Sequence, residues 1–170
     1  IIVLTAVQPF TSITVLSNLE WFKYEWIWRK QQGTGFLNAK KQPLRNHESV
    51  LVFYKNQPVY NPQFTEGKPY KCKSGRASSN YREQISVITE NEGKRYPLTV
   101  LDFPYDKIKY HSTQKPLALI EYMIKTYSDK KDVVLDNCAG SFTTAVACDN
   151  LDRNWICMEK ESGFCEIGLG

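Results

Sequence analysis

Three residues whose types and order suit the holding of a small ligand stand near the end of the chain: Asp136, Gly140 and Glu159. Residues 132–148 read DVVLDNCAGSFTTAVAC. Val133, Val134 and Leu135 form a short apolar run that predicts a buried strand ending on Asp136. Asn137–Ser141 is a turn of small residues, and Phe142–Cys148, rich in Ala, Val and Thr, predicts a helix laid against a sheet. Asn154–Met158 predicts the next strand and leads into Glu159, 23 positions beyond Asp136. An acidic side chain about 20 residues past a strand, glycine turn and helix is placed to accept hydrogen bonds from a ribose diol. A dinucleotide is disfavoured, because this turn holds only Gly140. A pyrophosphate needs several backbone N–H groups approached closely, and hence several glycines. One glycine beside a carboxylate suits a nucleoside that carries an amino acid group. S-adenosylmethionine has an α-amino group for Asp136 and a ribose for Glu159. An ordinary βαβ unit without a ligand has the same local pattern, and on these residues alone both readings stand.

The elements that must position this turn begin just upstream. Residues 111–116 are HSTQKP, and Ile120, Met123, Ile124 and Tyr127 then fall on one helical face. Pro116 suits the first helical turn and Thr113 its N-cap. Earlier in the chain, Ile1–Thr5 predicts a buried strand and Pro9–Leu19 a helix. Phe22–Lys30 alternates aromatic and polar residues, the pattern of a strand with one apolar face. Residues 31–48 are a basic loop with two glycines, and Ser49–Lys55 is a second strand, so the pair is expected as a hairpin at the sheet edge. Residues 56–84 are polar and basic; Ile85–Thr89 and Tyr96–Phe103 suggest another hairpin about a turn at 91–94.

Composition excludes some classes. With 42% hydrophobic and 24% charged residues, the 170-residue chain has the balance of one globular domain. No apolar run approaches the roughly 18 residues of a membrane span, so no membrane partner is expected. The start, IIVLTAVQPF, has no basic n-region or cleavage site of a signal peptide, and it opens in mid-strand without Met; a partial chain is expected. Five cysteines without a C-x-x-C pair suggest reduced, intracellular thiols. Charge is segregated. Residues 23–115 hold 17 Lys and Arg against 8 Asp and Glu, whereas residues 116–170 hold 5 against 9. A basic middle beside an acidic end fits a protein that lays one face on a polyanion; a solvated lysine-rich surface is the plainer alternative.

Taken together, HSTQKP, the helix, VVLDNCAGSFTTAVAC and RNWICMEK resemble the β-class, or permuted, S-adenosylmethionine-dependent DNA methyltransferases, which methylate adenine N6 or cytosine N4. Their pattern is close to H-P-T-Q-K-P, then D-x-x-x-G-S-G-T-T, then R-x-x-x-G-I-E. The segments IIVLTAVQPFTS, FKYEWIWRK and HESVLVFYK look like the target-base half of the same family, so the resemblance covers nearly the whole chain. It implies an α/β, Rossmann-like methyltransferase sheet with helices on both faces. One domain is divided into a target-base half (1–55), a basic DNA-recognition insert (56–110) and a cofactor half (111–170). The implied cofactor residues are Thr113, Gln114, Lys115, Pro116, Asp136, Asn137, Ala139, Gly140, Ser141, Thr143 and Glu159. Trp26, Trp28 and Lys30 match the motif beside the flipped base, although the two Trp lie on one strand face and fit a core equally well. Double-stranded DNA is the implied partner, met by Lys40, Lys41, Arg45, Lys68, Lys71, Lys73, Arg76 and Arg82. Lysines there are expected on phosphates, with Arg76, Arg82, Asn80 and Gln84 in reach of base edges. No metal is implied. A cytoplasmic, bacterial or phage-encoded enzyme is implied, with a homodimer or a restriction partner left open.

Three departures qualify the resemblance. Ser112 replaces a proline, and Phe142 stands where the family has the last glycine of G-S-G. That ring either lies under the adenine or fills the gap between sheet and helix. The family's catalytic tetrapeptide, [D/N/S]-P-P-[Y/F], belongs upstream of Ile1–Thr5 and has no counterpart here. Residues 102–105, DFPY, come close but sit directly before HSTQKP, which reads as a strand end rather than a catalytic motif. The chain is therefore expected to bind donor and DNA but not to turn over, with adenine favoured over cytosine. A non-catalytic remnant of such an enzyme is the alternative; RNA or protein as substrate fits the basic insert poorly. His47 and His111 read as turn-holding residues.

Overall fold

The computed structural model describes residues 1–74, 87–108 and 110–169. In chain order the strands are β1 (Ile2–Ala6), β2 (Phe22–Thr34), β3 (Arg45–Phe53), β4 (Thr65–Glu66), β5 (Tyr70–Ser74), β6 (Val87–Asn91), β7 (Lys94–Arg95), β8 (Val100–Asp102), β9 (Val133–Asp136) and β10 (Asn154–Cys157). The helices are α1 (Phe10–Ser17), α2 (Leu117–Tyr127), α3 (Thr143–Leu151) and α4 (Ser162–Leu169). The chain divides into two compact units, Ile1–Asn61 with Leu98–Gly170, and Pro62–Pro97.

In the larger unit a four-stranded sheet runs in the order β1-β3-β2-β8. Alternation along β3 explains why it has two buried faces. Val50 and Val52 point to one side and meet Trp26, Trp28, Leu101 and the α2 residues Leu119, Met123 and Tyr127. Leu51 and Phe53 point to the other side and meet Ala6, Trp21, Phe22 and Val15 of α1. Helices thus cover both faces, as an α/β architecture requires. The face of α2 away from the sheet meets α3, where Ile124 joins Ala147 and Cys148. The stripe of Ile120, Met123, Ile124 and Tyr127 therefore divides between two partners, and Leu119, outside it, is fully buried. β9, α3 and β10 form a parallel crossover unit, with Val133 opposite Asn154 and Asp136 opposite Cys157.

The smaller unit holds two antiparallel pairs, β4 with β7 and β5 with β6. The insert expected over 56–110 narrows at both ends. The Asn61 side-chain amide donates to Ser128 O at 3.2 Å and to Asp129 Oδ1 at 3.0 Å, and β8 belongs to the main sheet.

Several local expectations are corrected. The β2–β3 hairpin is central rather than at the sheet edge, because β1 and β8 flank it, and its strands extend to Thr34 and from Arg45. Of the hairpin expected from Ile85–Thr89 and Tyr96–Phe103, the described strands β6 and β8 take other partners; Ile85 lies outside the described residues. β6 pairs with β5, and β8 runs parallel to β2 because Leu101 is buried in the core. Thr113 does not cap α2. Its hydroxyl turns to His111 Nδ1 at 2.9 Å, Pro116 takes the N-cap position, and the Leu117 N–H donates to the Asp106 carboxylate at 3.1 Å. β9 is buried on one face only, with Val133 and Leu135 exposed to 62% and 61%.

Candidate donor site

Parallel pairing brings the carboxyl ends of β9 and β10 side by side, the position where open α/β sheets bind ligands. Asp136 ends β9, and its two oxygens organise the turn that follows. Oδ1 accepts the Cys138 N–H at 3.0 Å and Oδ2 accepts the Thr144 hydroxyl at 2.6 Å. The Met158 N–H donates to Asp136 O at 2.8 Å, and the Ala139 N–H to Met158 O at 3.0 Å. The turn is thereby tied to the strand that delivers Glu159. The Glu159 carboxylate accepts the N–H groups of Gly140 at 2.7 Å, Lys160 at 2.8 Å and Glu161 at 2.9 Å. The Glu161 and Gly140 amides hold its carboxyl below the ordinary glutamate value. Gly140 has φ +54°, the left-handed region that a glycine enters freely.

Phe142 keeps a glycine-like backbone, φ +58°, at the N-cap of α3. Its ring lies against α4, where a Cβ on Gly168 would come within 2.5 to 2.7 Å of the ring. The ring therefore packs on a neighbouring helix.

The 111–116 segment meets the glycine turn. A Cβ on Gly140 would meet the His111 ring at 3.9 Å, and that ring lies tilted by 59° against Phe164 of α4 with centroids 4.5 Å apart. His111 Nδ1 accepts the Thr113 N–H at 3.1 Å. Gln114 accepts the Tyr110 N–H at 2.9 Å and donates to Asp106 at 3.3 Å. Lys115 donates to Thr113 O at 2.9 Å. Pro116 is fully buried and Ala139 buried, whereas Asn137 is exposed. The Ser141 and Thr143 hydroxyls lie 3.1 Å apart.

The base-stacking candidates belong to the core. Trp26 and Trp28 are 3% and 1% exposed. The Trp26 Nε1–H donates to the Tyr127 hydroxyl at 2.6 Å and the Trp28 Nε1–H to Phe103 O at 2.9 Å. Burial pushes the Tyr127 phenol well above its ordinary pKa and keeps it neutral. An α2 residue thus satisfies Trp26, and the apolar face of β2 is buried in the interior. Lys30 sits 5.4 Å from the Trp28 ring and pairs with Glu48 at 2.5 Å. Asp102, the first residue of DFPY, ends β8, where both its oxygens accept from Arg29 at 2.6 Å. That fork lowers the Asp102 pKa.

Of the basic residues, Lys40, Lys41, Arg45, Lys68, Lys71 and Lys73 are exposed. Lys71 pairs across the ribbon with Glu90. Arg76, Arg82, Asn80 and Gln84 lie outside the described residues. Sequence reasoning missed Asp106, which caps α2 and steadies Gln114, and Glu48, which joins two lysines. Neither has a periodic signal: Glu48 meets Lys115 from far along the chain, and Asp106 reaches Gln114 and Leu117 across a loop 8 and 11 residues on.

These features define a Rossmann-like α/β protein with a strand-end site of two carboxylates about a glycine turn. A family model described as a DNA methylase, of the N6/N4 methyltransferase type, matches residues 10–169, and the chain belongs to that family. It is 36% identical over 140 residues to the DNA adenine methyltransferase YhdJ of Escherichia coli (strain K12), covering 78% of this chain and 47% of that protein. It is 41% identical over 144 residues to the type II methyltransferase M.HpaI of Haemophilus parainfluenzae, covering 84% of this chain and 42% of that protein. The chain thus spans less than half the length of these relatives. Among solved structures, the M1.HpyAVI–SAM complex superposes with a TM-score of 0.64 at 27% identity, covering 98% of this chain and 71% of that one. The cytosine-N4-specific PvuII DNA methyltransferase shares the fold, with a TM-score of 0.69 at 15% identity, covering 98% and 61%.

Proposed function

We propose that these residues form the donor-binding and DNA-facing part of an S-adenosylmethionine-dependent DNA amino-methyltransferase, with adenine N6 its target in preference to cytosine N4. The observation that carries this is the convergence of Asp136, Gly140 and Glu159 at the ends of two adjacent parallel strands, with Glu159 anchored on the Gly140 amide. The donor set suits the cofactor. Each carboxylate is half-buried, and each Asp136 oxygen accepts one hydrogen bond from the turn, leaving lone pairs for an ammonium group. Asp136 would hold the amino group and Glu159 the ribose hydroxyls, while the 113–116 segment would line the methionine end. When bound, S-adenosylmethionine supplies the methyl group. Likeness to a relative named as an adenine methyltransferase supports the choice of base.

A base inside a duplex must be flipped out to be reached, and its amine needs hydrogen-bond acceptors. Asp102 ends β8 in a fork with Arg29, and we do not assign it this role. We therefore place the acceptors, a tetrapeptide of the D-P-P-Y type, on polypeptide outside residues 1–170. Among the described residues β1 pairs only with β3 and β9 only with β10, which leaves strand edges for such a segment. The basic residues of the middle segment would meet DNA phosphates, and the cytoplasm is the expected compartment.

Calorimetry tests the donor site. Glu159→Ala should weaken S-adenosylmethionine binding by roughly tenfold or more, since it removes a charged acceptor; equal affinity rejects the assignment. Methyl transfer by the isolated chain would reject the placement of the acceptors.

A further inference from the structure

We propose that Glu48 is a positioning residue: its carboxylate ties the ammonium of Lys115 to the central hairpin and so sets the conformation of the 111–116 turn. The inference rests on the reading of that turn as part of the donor site. Glu48 lies on β3 directly opposite Trp28. One oxygen pairs with Lys30 at 2.5 Å and the other with Lys115 at 3.3 Å. The three side chains are only 9% (Lys30), 14% (Glu48) and 21% (Lys115) exposed. This is a largely buried cluster of two cations and one anion. Such a cluster holds together only while the anion is present.

The two lysines are not equivalent. Lys30 is fixed independently, on a central strand and 5.4 Å from the Trp28 ring. Lys115 stands on a loop, where it also donates to Thr113 O at 2.9 Å, inside its own turn. A connected path therefore runs from the core through Lys30, Glu48 and Lys115 to Thr113, and from Thr113 to His111 at 3.1 Å. The His111 ring faces Gly140. Without the carboxylate, two ammonium groups are left close together with no anion between them, and the one on the loop moves. Lys115 thus supports the donor turn as a strut, with two of its three N–H donors directed to Glu48 and to Thr113 O.

The test compares wild type, Glu48→Gln, Lys115→Met and the double variant by amide hydrogen exchange and by S-adenosylmethionine calorimetry. Both single variants should speed exchange at the Thr113 and Gln114 amides and weaken S-adenosylmethionine binding by roughly tenfold. The double variant should be no worse than either, because both break one path. Lys115→Met keeps the Lys30–Glu48 pair, so it decides the matter even if Glu48→Gln does not fold. Unchanged protection at Thr113 and Gln114 in Lys115→Met overturns the proposal, as do single effects that simply add. If wild type fails to bind S-adenosylmethionine, the donor-site reading falls, while the exchange measurement still decides whether Glu48 holds the turn.

Discussion

Gly168→Ala should destabilise this protein although alanine is the better helix former, and Phe142→Gly should reverse the sign. A Cβ on Gly168 would sit 2.5 to 2.7 Å from three ring atoms of Phe142, closer than any ordinary carbon contact. The ring does not swing away freely. Phe142 is held at φ +58°, its N–H donates to Ala139 O at 2.9 Å, and its carbonyl accepts the Val146 N–H at 3.2 Å. Overfilling a site of this kind costs about 1–3 kcal/mol. Removing a glycine from a helix returns up to about 1 kcal/mol, less here because Gly168 is in the last turn of α4. The net loss is about 1–2 kcal/mol, or a fall in Tm of roughly 3–6 °C for a chain of this length. In a Phe142→Gly background the obstacle is gone, and the same alanine becomes neutral or stabilising by up to about 1 kcal/mol. The two sites should therefore be coupled by about 2 kcal/mol in a double-mutant cycle. Urea denaturation of the four proteins measures it. A neutral or stabilising Gly168→Ala in the wild-type background, or the same effect in both backgrounds, refutes the argument.

Three further outcomes are expected. Backbone amides hold the Glu159 carboxyl below its ordinary range. Donor affinity should therefore persist as pH falls through the usual glutamate value near 4.5 and decline only below it; calorimetry across that range that finds the break above 4.5 contradicts this. Burial pushes the Cys148 and Cys157 thiols up to about 11, so at pH 8 an alkylating reagent should label the exposed Cys72 and Cys138 first and these two far more slowly, as mass spectrometry would show. Duplex binding should be strongly salt-dependent. Reversing Lys71, Lys73 and Arg76 together should flatten the slope of log affinity against log salt, with Lys71 contributing least because it already pairs with Glu90; an unchanged slope means that this segment does not face DNA.

Short-range patterns carried much of the architecture. The run at 133–135, the small-residue turn and the spacing to Glu159 were enough to place a βαβ unit, because neighbouring residues alone set strand, turn and helix. The alternation of Phe22–Lys30 likewise marked β2 and its apolar face. Alternation records that a face is apolar, not what covers it. Only the fold decided that α2 closes over Trp26 and Trp28 and places them in the core. The same limit hid the polar contacts. Arg29 and Asp102 are 73 positions apart in the chain and meet through β2–β8 pairing. Glu48 reaches Lys115 only after distant segments come together, and Asp106 caps α2 only once the loop between them folds back. A carboxylate's partner is set by which strands lie side by side, and ion pairing leaves no periodicity in sequence. The chain's local order thus determined which elements exist and where its carboxylates stand along it, while tertiary contact determined which of those groups are free to meet a ligand and which are already bound.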